Sequence, residues 1–216
     1  MSTGSKPYHL HHYDSPEHQY STAKLGIWLF MATEILMFGG LFVLYAIYKN
    51  KYPGIFIDGS RSLNWKLGML NTGVLILSSF TMAMGIYYLQ HNQKIKAVIN
   101  LWITVACGAV FMVVKYFEWT HKFEHGIKAG KFFTAHDFSY SNQALYYSLY
   151  YTMTGLHGTH VLVGMGLIIW VAIKAAKGHF GSHYYTPVEG VGIFWHLVDL
   201  IWIYLFPLLY LIDMAR

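Results

Sequence analysis

The sequence predicts an all-α integral membrane bundle of five transmembrane helices, and three observations carry that prediction. Hydrophobic residues make up 55% of the 216-residue chain and charged residues only 12%, far from the balance of a soluble domain. Apolar segments recur at about 23–48, 68–90, 97–121, 144–174 and 188–212, each long enough to cross ~30 Å of hydrocarbon. Polar residues inside those segments fall three apart, as in His157/His160 and His196/Asp199, so each pair shares one helical face. One helical domain over 23–216 follows, preceded by a polar tail over 1–22. The single cysteine, Cys107, lies in an apolar run, so there is neither a disulfide framework nor a Cys-rich metal site. Net charge is +5, but the basic residues are scattered over loops and span ends. That reads as membrane-flanking charge and excludes a nucleic-acid-binding stripe.

The tail carries His9, His11, His12 and His18 among Ser, Tyr, Pro and acidic residues. No apolar core follows a basic start, so it does not read as a signal peptide. Histidine spacing is irregular across Pro16 and no Cys or Glu constellation surrounds it, which favours a mobile polar tail over a metal site. The first span places Glu34 eleven residues from its start, about 16 Å in at 1.5 Å per residue. Its helical neighbours Phe30, Met31, Met37 and Phe38 are apolar, so a partner must come from another helix. Two readings stand: a neutral carboxyl donating one interhelical hydrogen bond, or a carboxyl beside a proton-accessible interior.

The stretch from Lys49 to Leu67 contains Pro53, Gly54, Asp58, Gly59 and Arg61 and is expected to be a loop, with Trp65 and Lys66 anchoring the next span at the interface. The second span holds Asn71, Thr72, Ser78, Ser79 and Thr81 without a charge, small polar groups suited to hydrogen bonds between helices. In the third, Lys115 and Glu118 lie three apart and pair. Near a span end, an interfacial ion pair with a snorkelling lysine is favoured over a proton relay. The segment 122–142, with aromatic and charged residues interleaved, is expected to lie as a lid on the interface.

The fourth span carries Gly155-Leu156-His157-Gly158-Thr159-His160, two imidazoles at bilayer depth on one face. Measured from its far end at Lys174, His160 is fourteen residues in and His157 seventeen. Both therefore sit near the depth of Glu34, and a carboxyl–imidazole hydrogen bond is predicted, to His160 in preference to His157. Lys174 and Lys177 stand where lysines meet lipid phosphates. The fifth span sets His196 and Asp199 on one face beside Trp195 and Trp202, a second buried polar stripe, and Pro207 is expected to kink its last turns. Lysine and arginine counts on the two sides, six against eight, leave orientation open.

Two ordered segments, TGLHGTHVLVG in the fourth span and FWHLVDLIWIYLF in the fifth, resemble the signature segments of subunit III of haem–copper terminal oxidases. LFMATEILMFGGLF around Glu34, LNTGVLILSS and the Glu118 segment are similar to further family segments, so the resemblance covers nearly all the hydrophobic chain. It implies the short, five-helix form of cytochrome c oxidase subunit III, of the aa3 type. Such a subunit is expected to be redox-silent and to support proton uptake while subunit I reduces oxygen to water. Haem and copper would belong to the partner subunits, no cofactor to this chain, and bound phospholipid would be retained at Lys174 and Lys177. The implied partners are oxidase subunit I, other oxidase subunits and membrane lipids, with respiratory supercomplex membership as an extension. The implied location is the cytoplasmic membrane of a bacterium, N-terminus inside and C-terminus outside. Subunit III of a quinol oxidase or of a nitric-oxide reductase system is the alternative. A haem-binding membrane cytochrome using His157, His160 and His196, and a proton-coupled transporter using Glu34 and Asp199, are rivals from other classes. Against the first, His157 and His160 share one face and cannot clasp one haem. Against the second, there is no inverted repeat.

Overall fold

The computed structural model describes residues 15–135, 142–182 and 184–212. Five helices are long and apolar enough to cross a membrane, which establishes the all-α membrane bundle. His9, His11 and His12 of the N-terminal segment, residues 136–141 of the proposed lid and Arg216 lie outside the described residues.

The first helix, α1 (Pro16–Lys51), starts seven residues before the predicted span. The reason is local. Ser15 caps it by accepting from the His18 N–H, Pro16 stands where a missing N–H costs nothing, and Glu17 faces the positive helix end. Residues 16–22, read above as tail, are thus its first two turns, held by the Tyr20 hydroxyl on Glu189 at 3.0 Å. Along the membrane α1 buries one narrow stripe, Met31, Phe38 and Tyr45. The seven-residue spacing keeps these on one side of the helix, and Leu25, Leu29, Leu36 and Val43 face outward.

The expected loop after it contains a second helix, α2 (Pro53–Arg61). Pro53 and two glycines look like breakers, yet a proline at the first helical position starts a helix. Ile55 and Phe56 fold inward, and Phe56 sits edge-on between Tyr45 and Tyr146 at 5.0 and 5.5 Å. Gly59 is required there, because a Cβ would stand 2.2 Å from the Tyr146 ring.

Helices α3 (Trp65–Gln90) and α4 (Lys94–Glu124) form an antiparallel hairpin. Its turn uses Asn92 at φ 57°, a left-handed conformation that asparagine tolerates. The Asn92 side chain also holds Ser182, donating to its hydroxyl at 3.0 Å and accepting from its N–H at 3.1 Å. Helix α5 (Ala144–Ala176) and α6 (Thr186–Tyr210) complete the bundle. Helix α6 is the most enclosed, with Trp195, Val198, Trp202, Leu205 and Leu209 fully buried. Trp195 fills a notch made by Gly164, whose Cβ would meet its ring at 2.8 Å, and by Gly108. Pro207 lies inside α6, which runs on to Tyr210. The carbonyls of Leu208 and Leu209, at the helix end, accept from the Tyr45 and Tyr146 hydroxyls.

Candidate functional site

Polar side chains inside the bundle fall into separate groups. The first is the predicted one. Glu34 on α1 and His160 on α5 meet at 2.8 Å, from Nε2 to a carboxylate oxygen, with side chains 13% and 16% exposed. Nδ1 of the same ring lies 2.7 Å from the Leu156 carbonyl one turn back, so it carries the proton that this carbonyl accepts. A proton on the opposite nitrogen as well gives an imidazolium–carboxylate pair; a protonated carboxyl donating to Nε2 gives the neutral one. Phe38 and Phe194 enclose the ring at 5.3 and 6.2 Å. The arrangement holds one exchangeable proton at mid-depth between two helices that otherwise touch little.

The second group is denser and corrects the reading of Lys115. That lysine does not snorkel: it, Glu118 and Lys122 are each 6% exposed. Glu118 accepts from Lys115 at 2.9 Å, Lys122 at 3.3 Å, Tyr150 at 2.9 Å and Tyr210 at 2.8 Å. Lys115 also donates to Tyr210 at 2.6 Å and lies over the Trp202 ring at 4.9 Å. One carboxylate thus faces two ammonium groups, and aromatic faces carry the excess positive charge. At the start of α5, Gln143 donates to the Ile55 carbonyl of α2 and Tyr147 bonds Ser62. Part of the proposed lid is described here: Tyr151 donates to the Ile127 carbonyl, and Phe133 stacks on Tyr147 at 5.8 Å. Tyr150, Tyr210 and Lys122 were not singled out from sequence. The run Tyr146, Tyr147, Tyr150, Tyr151 places hydroxyls on adjacent faces of one helix end, and that periodicity was the available signal.

The third group joins α3 to α6. Trp195 donates to Ser78 at 3.0 Å and Trp202 to Thr72 at 3.1 Å, while His196 Nδ1 shares a 2.6 Å hydrogen bond with Ser79. Asp199 meets Ser78 at 3.4 Å. The small hydroxyls of α3 are therefore interhelical partners, as their spacing predicts. His196 and Asp199 share no hydrogen bond, and the two tryptophans reach different residues of α3. His157 stands apart from His160. It is fully buried against Phe111 and Trp202, with ring centroids at 5.4 and 5.3 Å. His160, by contrast, is engaged on both nitrogens. Lys174 lies half-buried with its ammonium 4.3 Å from the Trp170 ring centre, and Lys177 is exposed one turn on.

Compared with known proteins, residues 11–214 match the family model described as cytochrome c oxidase subunit III. The chain belongs to that family. Its match to the subunit named cytochrome c oxidase subunit 3 of Synechocystis sp. is 33% identical over 190 residues, 87% of this chain and 74% of the relative. The Thermostichus vulcanus protein of the same name is 32% identical, covering 87% and 86%. A probable quinol oxidase subunit 3 of Staphylococcus haemolyticus is 28% identical over 94% of both chains. Glu34, Glu118, His157, His160, His196 and Asp199 all lie within the stretch matched to this subunit III family.

Proposed function

We propose that this chain is the third subunit of a bacterial respiratory haem–copper oxidase that takes electrons from cytochrome c. In this reading it carries no redox centre, packs against oxidase subunit I and retains phospholipid. The family membership over residues 11–214 carries the proposal. The paired buried groups support it in kind: the Glu34–His160 bond, the Glu118 cluster and the bonds from α3 to α6 tie helices to one another, as in a structural support. Haem and copper, on this reading, reside in the partner subunits. A quinol-oxidising complex is the second reading, favoured by the full-length correspondence with the staphylococcal protein at 94% of both chains.

Within such a complex the Glu34–His160 bond would hold α1 to α5 and keep the proton-uptake surface of the catalytic subunit intact, without passing pumped protons itself. Lys174 and Lys177 would meet lipid phosphate, with the N-terminus on the cytoplasmic side. The test is to purify the complex through a tag on this chain. Co-purifying subunit I with its haems, and oxygen uptake driven by reduced cytochrome c, are expected; uptake driven by quinol alone selects the second reading. In the same preparation Glu34→Gln, which preserves one hydrogen bond, should keep most initial activity but lose it faster over repeated turnovers. An immediate and complete stop of oxygen reduction would show that Glu34 takes part in the chemistry, and would overturn the supporting role.

A further inference from the structure

The interior between α3, α4, α5 and α6 contains polar atoms that none of the three groups uses. Both ring nitrogens of His157 are buried without a hydrogen-bond partner among the described residues, and so are both amide atoms of Asn71 and the Oδ1 atom of Asp199. His157 is 0% exposed and Asn71 1%. An imidazole always has at least one donor, and when neutral also one acceptor. Leaving such groups unpaired away from water is costly, which is why nearly all are paired in native proteins. A ring N–H aimed at the face of Phe111 or Trp202 would use one nitrogen and leave the other.

His157 packs on Trp202, and so does Lys115 of the second group. The His157 ring lies 5.3 Å from the Trp202 ring centre, and the Lys115 ammonium lies 4.9 Å from it. The indole N–H goes to Thr72, the residue next to Asn71. His157 and Lys115 thus share a wall, and the Glu118 cluster begins on its far side. Buried water commonly makes about three hydrogen bonds to polar groups left over by the fold. We propose that ordered water occupies this interior, hydrogen-bonded to His157 and bridging it to the Lys115–Glu118–Tyr210 cluster or to Asn71. His157 is then the exchangeable member of a hydrated seam, not a packing residue. The seam reaches one helical turn from His160, so it brings the Glu118 cluster near the Glu34 bond without a direct side-chain contact. The inference does not depend on the electron donor or on the partner subunits.

The deciding measurement is a cryo-electron microscopy map of the intact wild-type complex in lipid nanodiscs, at a resolution that shows water. Expected is a density peak about 2.7–3.2 Å from an imidazole nitrogen of His157, with a second partner among Asn71, Lys115 and Tyr210. A map that shows water elsewhere within the spans but none at either nitrogen overturns the proposal. Infrared difference spectra on transfer to D2O, wild type minus His157→Phe, give an independent reading: a His157 N–H band that exchanges within minutes is expected, and one that persists for a day counts against it. If His157→Phe does not assemble, the wild-type map still decides.

Discussion

The Glu34–His160 bond and the Glu118 cluster use the same chemistry in opposite ways. The first is one hydrogen bond between α1 and α5, partly open to its surroundings. The second is a closed set in which two lysines and two tyrosines converge on one carboxylate. One side-chain partner for Glu34 and one for His160, beside the Leu156 carbonyl, leave that pair room to rearrange; four donors on the Glu118 carboxylate fix three helices around it. The comparison teaches that, in this chain, number of partners and not depth separates an adjustable group from a structural one.

The largest effect should come from breaking the closed set. Glu118→Gln leaves two buried ammonium groups without their anion, and removing one side of a buried pair costs about 3–5 kcal/mol. The expected outcome is loss of this subunit from the purified complex, read by its abundance relative to subunit I. Adding Lys115→Met to that variant removes one stranded cation and should restore part of the abundance. No recovery would mean that the cluster is not governed by charge balance. Next is the notch on α5: Gly164→Val places side-chain atoms inside the Trp195 ring, and overpacking of this kind costs roughly 1–3 kcal/mol. A thermal shift of the intact complex measures it, and Gly166→Val, where a Cβ meets nothing within 4 Å, should be close to neutral.

Smaller effects sharpen the open end of the comparison. Glu34→Ala should cost more than Glu34→Gln, because it strands His160 at mid-depth; a buried group left unpaired costs about 1–3 kcal/mol. Limited proteolysis should then release the α1 segment before any other. Smallest is Lys174→Ala, which removes a cation–aromatic contact worth on the order of 0.5–1 kcal/mol. Native mass spectrometry should find less retained phospholipid with the fold intact. Unchanged lipid would remove Lys174 from the lipid-contacting set.

Much of this was legible before any coordinates. The spans follow from length and hydropathy, the Glu34–His160 bond from counting depth in antiparallel helices, and the Lys115–Glu118 pair from a three-residue step. What stayed hidden depends on distant chain segments. Tyr210 reaches Glu118 across 92 residues, and no local pattern announces it. The burial of Lys115 was misjudged because its place near a span end favours snorkelling, whereas Tyr150, Tyr210 and Trp202 enclose it; α2 was misread because its proline and glycines look like loop residues. His157 and His160 look equivalent in sequence, and only the packing of Phe111 and Trp202 tells them apart.

The narrow seam of α1 also shapes how the chain is made. Glu34 leaves the ribosome 126 residues ahead of His160, an interval of roughly 6–25 s at ~5–20 residues per second. Throughout that time α1 has synthesised its acidic group but not the helix that receives it. Tyr45 waits longer still, for a carbonyl 163 residues downstream. During synthesis the Glu34 carboxyl is therefore present well before the imidazole that receives it, and α1 carries an unpaired polar group until α5 follows.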